Sequence, residues 1–307
     1  MEIKVAKHAG FCFGVKKAIE IAEEVAQSNK EKTYVYGQLV HNEKVIKDLE
    51  NKGITFVENI NEIPQNAVTV LRAHGEPGTT YEILEEKSII KGKNLNDATC
   101  PLVTLVHNVA IKLNNNGYEV ILFGKANHPE AIGTSYHLKG KDTFIVEGPE
   151  HSDLVVDYIK RNNFEKVAII SQTTMSVYGY KKLIDDINSK LKDVKFEEMH
   201  LSLKDLTKRY GFVDTICNPT KQRQSDTEEI ARESDIVIVI GGRNSSNSKE
   251  LYAKCKELGV EGYFIQSEDQ LQKEWFNGKE KIGVTAGAST PDYLIDEVVE
   301  RIKELTK

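Results

Sequence analysis

The segment Gly10-Phe11-Cys12-Phe13-Gly14 opens an order of segments that the chain repeats after Cys100 and again after Cys217. Each cysteine is followed by a predicted helix, an apolar strand, and a polar loop that starts a second helix. These loops follow their cysteines by 29, 28 and 28 residues and contain, in order, His41, His128 and Ser245. Intervals kept this closely indicate three copies of one structural unit.

Each unit then adds a short strand and a further strand that ends in a second polar loop. The second loops follow the cysteines by 62, 73 and 72 residues and contain His74, Thr173 and Ser289. Ligand-facing groups of parallel α/β sheets lie on the loops after the carboxyl ends of the strands. The repeat therefore predicts α/β lobes whose polar loops converge on one site.

The predicted lobe boundaries follow from the strand-like segment that precedes each cysteine. If each such segment belongs to the lobe before its cysteine, the N-terminal strand must complete the third lobe. The predicted lobes are residues 13–99, residues 100–216, and residues 217–307 completed by residues 1–12. Residues 202–211 are interpreted as an insertion, and the sequence assigns them no function.

Composition excludes several classes of protein without deciding the function. The chain has 307 residues, a formal net charge of −6, 39% hydrophobic and 29% charged residues, which is typical of a soluble globular protein. The acidic balance provides no basic surface for nucleic acid, and the apolar runs are too short for a signal core or a membrane span. Four widely spaced cysteines do not form a secreted disulfide framework, so we expect a reducing cytoplasm.

The three repeated cysteines favour a metal site over a structural role. A lone cysteine usually behaves as a small buried hydrophobic residue, but these three stand in equivalent positions before predicted helices. Thiolate ligands suit zinc or an iron–sulfur cluster. Zinc sites usually contain a short Cys-x-x-Cys spacing, which this chain lacks, whereas a cluster tolerates distant ligands. Three cysteines for four irons would leave one iron without a protein thiolate. Cys255 has no counterpart in the other repeats and is predicted to be an ordinary helix residue.

The polar loops combine hydrogen-bonding side chains without a cluster of lysines or arginines. Such a set predicts a phosphate or diphosphate site, helped by helix N-termini after Pro129, Ser248 and Pro291. The serines and asparagines of residues 244–248 are also ordinary helix caps, and for this segment alone capping is the favoured interpretation. Glu130 also fits the common acidic residue of a first helical turn, but it is the one carboxylate within the loops. It is therefore the candidate for proton transfer.

Taken in order, these motifs resemble the LytB-type 4-hydroxy-3-methylbut-2-enyl diphosphate reductases over essentially the whole chain. The segments that carry the resemblance are residues 10–15, 40–42, 72–75, 97–101, 128–130, 172–174, 215–217 with 223–224, 244–248 and 284–289. The resemblance implies three α/β lobes, related by a pseudo-threefold axis, in a trefoil around a central iron–sulfur site. It also implies a 4Fe–4S cluster held by Cys12, Cys100 and Cys217, with one iron lacking a protein thiolate.

The implied reaction is the removal of the allylic hydroxyl with two electrons and two protons, which gives isopentenyl and dimethylallyl diphosphate. Glu130 with Thr173 would deliver protons. The substrate-binding side chains implied by the family are His41, His74, His128, Thr173, Ser245, Ser246, Asn247 and Ser289. Ferredoxin or flavodoxin is the expected electron donor, because no nucleotide-binding Gly-x-Gly-x-x-Gly follows any predicted strand.

Two other classes of function remain open at the level of sequence. A cluster-dependent hydro-lyase would use an open iron but would need no external electrons. A non-enzymatic iron–sulfur sensor would need a basic nucleic-acid surface or an interaction tail, and neither is evident in the sequence.

Overall fold

The computed structural model describes residues 1–192 and 194–307 and consists of parallel β-strands that alternate with α-helices. The strands are β1 (Glu2–Val5), β2 (Thr33–Tyr36), β3 (Ile54–Val57), β4 (Val68–Leu71), β5 (Leu95–Asp97), β6 (Glu119–Phe123), β7 (Ile145–Val146), β8 (Val167–Ser171), β9 (Glu197–Glu198), β10 (Tyr210–Phe212), β11 (Ile236–Ile240), β12 (Glu261–Ile265) and β13 (Lys281–Ala286). The helices are α1 (Phe13–Ser28), α2 (Glu43–Asn51), α3 (Gly78–Glu86), α4 (Pro101–Asn115), α5 (Pro129–Tyr136), α6 (Ser152–Asn162), α7 (Val177–Lys190), α8 (Asn218–Glu233), α9 (Ser246–Glu257) and α10 (Asp292–Leu305).

The strands form three separate parallel sheets that share one order of four strands, and the second sheet adds β9 at its edge. Their orders are β3-β2-β4-β5, β7-β6-β8-β10-β9 and β12-β11-β13-β1. In each sheet the strand that precedes a cysteine pairs with the last strand of the repeat before it. The N-terminal strand β1 accordingly pairs in parallel with β13, from Glu2 opposite Lys281 to Val5 opposite Val284. The predicted α/β class and the predicted place of the N-terminal strand are both confirmed.

The chain divides into two compact units. The first comprises residues 1–73, 91–98 and 218–307 and contains the sheets of β2 and β11. The second comprises residues 74–90 and 99–217 and contains the sheet of β6. The predicted lobe boundaries follow the three sheets rather than these two units, and they stay a prediction.

Burial on both faces explains the continuous apolar strands. The sequence Ile-Val-Ile-Val-Ile of β11 is fully buried, as expected for a parallel strand covered by helices on both sides. Its isoleucines face one apolar cluster with α10, and its valines face another with α8 and α9. In the second unit, Ile121 and Ile169 face α6 and α7, whereas Val120 and Ala168 face α4. This packing fixes the strands whose carboxyl ends carry the polar loops.

Several predicted boundaries were wrong for identifiable physical reasons. The strand-like segment before Cys217 is residues 212–216, but the strand ends at Phe212, because the hydroxyl of Thr215 bonds both the N–H and the carbonyl of Ser171 in place of backbone pairing. Residues 202–211 include a short 3₁₀ turn, Asp205–Thr207, and the start of β10, so they are not wholly an insertion. Helix α9 begins at Ser246, before the predicted position. No helix within the described ranges is both long and apolar enough to cross a membrane.

Candidate active site

The three repeated cysteines lie at the starts of long helices. Cys12 and Cys100 are the residues before the first turns of α1 and α4, and neither side chain caps its helix. Cys217 directly precedes α8. All three are half-buried thiols outside disulfides, whereas Cys255 is buried in α9, where burial raises the pKa of its thiol to about 11. Three reachable thiols of this kind suit a soft metal centre, and the fourth does not.

In the first unit, hydrogen bonds connect Cys12 to the loop that precedes α10 and to the start of α9. The N–H of Cys12 donates to the carbonyl of Ala288 at 3.1 Å. The N–H of Ala288 in turn donates to Oδ1 of Asn247 at 3.0 Å. The hydroxyl of Ser289 donates to the carbonyl of His41 at 2.9 Å. The structure thus brings four of the predicted site residues onto adjoining loops.

The residues at the start of α9 serve both as helix caps and as candidate ligand contacts. Ser245 caps α9 by accepting a hydrogen bond from the N–H of Ser248 at 3.2 Å, which confirms the capping interpretation. Ser246 Oγ and Asn247 Nδ2 are also buried, yet neither has a hydrogen-bond partner within residues 1–192 and 194–307. Buried polar groups are nearly always paired in native proteins. These two groups are therefore placed to receive a polar ligand.

His41 lies in the loop between β2 and α2 in a basic environment. Its Nδ1 lies 3.0 Å from Oε1 of Gln38. Burial and, to a smaller extent, the positive charges of Arg72 and Lys249 together lower the pKa of His41 to about 4. The imidazole is therefore neutral near pH 7. The polar loops were expected to act without a cluster of lysines or arginines, yet two cations, Arg72 and Lys249, affect this imidazole.

In the second unit, Glu130 and Thr173 form a closed pair between the loops that follow β6 and β8. The N–H of Thr173 donates to Oε1 of Glu130 at 2.6 Å, and its hydroxyl donates to Oε2 at 2.8 Å. Both residues are buried, Glu130 to 1% exposure. Burial raises the pKa of Glu130 from 4.5 to about 7, although both hydrogen bonds favour the carboxylate. Glu130 can therefore hold or release a proton near neutral pH.

Neighbouring side chains hold this pair in place. His128 caps α5, with Nδ1 accepting a hydrogen bond from the N–H of Glu130 at 3.2 Å, and its ring lies edge-on to His74 with centroids 5.4 Å apart. The amide of Gln172 accepts a hydrogen bond from the N–H of Lys125 and so joins the loops after β6 and β8. The N–H of Cys217 donates to the carbonyl of Thr173 at 3.1 Å. Cys217, a candidate metal ligand, is thus bonded to Thr173, the partner of the candidate proton donor Glu130.

Sequence reasoning missed three contributors to these loops. Arg72 is part of a motif that carried the resemblance, but its charge was not assigned a role. Lys249 lies in the first turn of α9, in a segment interpreted as capping. Gln172 is fully buried between two loops, which no local pattern indicates.

Comparisons with known proteins agree over the whole chain. Residues 3–303 match the family model described as LytB protein. The 4-hydroxy-3-methylbut-2-enyl diphosphate reductase of Nitratiruptor sp. is 39% identical over 306 residues, covering 99% of each chain. That of Aquifex aeolicus is 37% identical over 308 residues, covering 99% of this chain and 97% of its own.

Solved structures of named reductases are also similar to this chain. The E-1-hydroxy-2-methyl-but-2-enyl-4-diphosphate reductase of Plasmodium falciparum superposes with a TM-score of 0.83 at 28% identity, over 97% of this chain and 87% of its own. A structure described as (E)-4-hydroxy-3-methyl-but-2-enyl diphosphate reductase, the terminal enzyme of the non-mevalonate pathway, gives a TM-score of 0.64 at 37% identity over 99% of both chains. The likeness is consistent with the predicted trefoil α/β fold. On the match of its sequence from end to end, the chain belongs to the LytB protein family.

Proposed function

We propose that this protein is a reductase that converts 4-hydroxy-3-methylbut-2-enyl diphosphate into isopentenyl and dimethylallyl diphosphate. The observation that carries the proposal is the buried Glu130–Thr173 pair, in a chain whose relatives over full length are named for this activity. In the balanced reaction, the allylic carbon–oxygen bond breaks and two electrons and two protons are consumed. One proton leaves with the oxygen as water, and the other adds to the allylic carbon skeleton.

Cys12, Cys100 and Cys217 would hold a 4Fe–4S cluster with one iron that lacks a protein thiolate. Their half-buried thiols, which lie outside disulfides at the starts of three helices, support this assignment, and the buried Cys255 does not fit it. When bound, the cluster would supply the two electrons and a Lewis-acidic iron with an open position.

The diphosphate would bind to the polar loops in which buried donors lack partners. Ser246 Oγ and Asn247 Nδ2 are two such donors. The positive charges of Arg72 and Lys249 near His41 favour an anion beside this imidazole. The remaining proposed binding residues are His74, His128, Thr173, Ser245 and Ser289.

Glu130 would act as the proton donor and Thr173 as its orienting partner. With a pKa of about 7, Glu130 is partly protonated at neutral pH, which suits a general acid. The two hydrogen bonds from Thr173 fix both carboxyl oxygens. The carboxyl group is therefore held in one orientation.

The electrons would come from ferredoxin or flavodoxin in a reducing cytoplasm. The alternatives of a hydro-lyase and of a non-enzymatic sensor differ from this proposal in their need for electrons. A hydro-lyase would turn over without a reductant, and a sensor would not turn over the substrate at all. The test must therefore follow product formation with and without an electron source.

The decisive experiment is anaerobic purification followed by an assay with the diphosphate substrate and a low-potential reductant. We expect both products, only when the reductant is present, and about four irons and four sulfides per chain. Replacement of Cys12, Cys100 or Cys217 by serine should abolish the cluster and the activity. Turnover without reductant, or stoichiometric zinc in active protein, would contradict the proposal.

A further inference from the structure

Helix α8 carries a buried arginine that binds the backbone of the loop leading to Cys12. Arg223 is 4% exposed, so its guanidinium is almost entirely withdrawn from water. Nη2 donates to the carbonyl of Gly10 at 2.6 Å, and Nη1 donates to the carbonyl of Pro219 at 2.9 Å. A planar guanidinium can serve two acceptors in fixed directions, which an ammonium group does less well. Arg223 therefore ties Gly10 to the first turn of α8.

A second residue on the same face of α8 holds the other end of this loop. Asp226 lies one helical turn after Arg223. Its Oδ2 accepts a hydrogen bond from the N–H of His8 at 2.7 Å and lies 2.9 Å from Nδ1 of the same histidine. The loop is thus attached to α8 at residue 8 and at residue 10. Beyond it, the N–H of Cys12 is fixed by the carbonyl of Ala288.

The conformation of the loop depends on a glycine at the point where Arg223 binds. Gly10 has φ of +100°, a region that L-residues rarely adopt. A Cβ atom at this position would also lie 2.5 Å from Oδ1 of Asp292. Glycine permits this backbone conformation, in which the carbonyl of Gly10 points at Arg223. Such a constrained loop, two residues before Cys12, restricts the backbone that carries this thiol.

We propose that Arg223 is a positioning residue that fixes Cys12 as a ligand of the iron–sulfur cluster, with Asp226 as its partner in the same task. The inference rests on the proposed function, because it assumes that Cys12 binds the cluster. Groups that orient metal ligands without touching the metal typically contribute about 10- to 100-fold to metal affinity. The hydrogen bonds of Arg223 and Asp226 to the loop of residues 8–10 provide this kind of support.

The test compares three variants for iron retention under anaerobic conditions. Arg223→Lys keeps the positive charge but loses the guanidinium that donates to two carbonyl groups at once. Asp226→Asn keeps the shape of the side chain but loses the charged acceptor. Arg232→Gln is the matched control, since Arg232 lies on the same helix and is exposed, with its guanidinium paired to Glu228. Iron release to a ferrous chelator, the electron paramagnetic resonance spectrum of the reduced cluster, and the melting temperature are measured for each.

We expect iron release from Arg223→Lys to be about 10- to 100-fold faster than from the wild type, with an altered resonance spectrum. Asp226→Asn should show a smaller change in the same direction, and Arg232→Gln none. Lower melting temperatures with unchanged iron release and spectrum would overturn the inference, because Arg223 would then only stabilise the fold. Wild-type protein that assembles no cluster would instead refute the proposed function, and this inference with it.

Discussion

Replacing Glu130 by glutamine isolates the free-energy cost of ionising a buried carboxyl group. Both oxygens of Glu130 accept hydrogen bonds from Thr173, at 2.6 Å and 2.8 Å. In Glu130→Gln, the amide oxygen can still accept from the N–H of Thr173, while the amide nitrogen donates to the hydroxyl oxygen. The side chain keeps its size and its contacts, so the variant should fold. It differs from the wild type chiefly in having no proton to lose.

The raised pKa of Glu130 fixes the sign and the size of the expected effect. Between pH 4.5 and about 7, the folded protein keeps a proton that the unfolded chain has released. Stability therefore falls as pH rises through this window, and the full cost is present above it. Each pKa unit corresponds to about 1.4 kcal/mol, so the total is about 3 kcal/mol. The variant should be free of this cost.

The assay is anaerobic thermal unfolding of both cluster-loaded proteins at a series of pH values from mildly acidic to mildly alkaline. We expect the variant to gain stability relative to the wild type as pH rises, by about 5 °C or more in Tm. An exposed glutamate supplies the control, because Glu24→Gln on α1 should give no such trend. A difference between wild type and Glu130→Gln that stays constant with pH would refute the reasoning.

Turnover by the same variant tests the chemical role separately from stability. Glu130→Gln cannot donate a carboxyl proton, so turnover should fall by about 100-fold or more while substrate still binds. Wild-type turnover should decline as pH rises through about 7, where Glu130 loses its proton. If the variant kept its turnover and only bound substrate more weakly, Glu130 would be a helix-terminal acid and not the proton donor.

Three further substitutions probe neighbouring features. Thr173→Val removes a hydroxyl that favours the carboxylate of Glu130, so the decline of turnover should move to higher pH, whereas Thr173→Ser should keep the wild-type pH profile. Cys255→Ser places a hydroxyl in an apolar cluster and should lower the free energy of unfolding by about 1–3 kcal/mol, with iron content unchanged. Gly287→Ala would press a methyl group against Ser248, so KM should rise and Tm should fall; unchanged values of both would contradict the close packing.

The strands with strong apolar patterns were predictable from the sequence. The two exceptions are a strand without an apolar pattern and an apolar segment that does not form a strand. The apolar runs Val68–Leu71 and Ile236–Ile240 predict two strands, and β4 and β11 have these bounds. Strand β9 consists of two exposed glutamates, Glu197–Glu198, so nothing in its pattern indicates a strand. Before Cys217 a strand was predicted that does not form. The apolar residues Val213 and Ile216 favoured it, and both are buried without being part of a strand. A long-range bond from the Thr215 hydroxyl takes the place of the ladder there.

The repeat also indicated which loops carry the candidate site, because equal intervals place equivalent residues at equivalent strand ends. It could not provide the interactions that set their chemistry. Glu130 and Thr173 are 43 residues apart, and Arg223 and Gly10 are 213 residues apart. The pKa of Glu130 depends on its complete burial, which follows from packing and not from the neighbouring sequence. The cations near His41 were missed for the same reason.

The equivalent loops of the three repeats have kept their position while diverging in chemistry. His41, His128 and Ser245 stand between the first strand and the second helix of their repeats. His128 and Ser245 both cap the following helix with a side-chain acceptor, whereas the cap of α2 is Asn42, one residue after His41. His41 is therefore released from capping and sits instead among positive charges, which suits binding of an anion.

The loop that contains His128 has diverged in the opposite direction. There the residue two positions after the cap is Glu130, a buried carboxyl group whose pKa is raised by burial. The same backbone frame thus holds a neutral imidazole in one repeat and, in another, an acid with a pKa of about 7. Because capping and strand pairing hold each frame, a change of one or two side chains alters the chemistry without altering the fold.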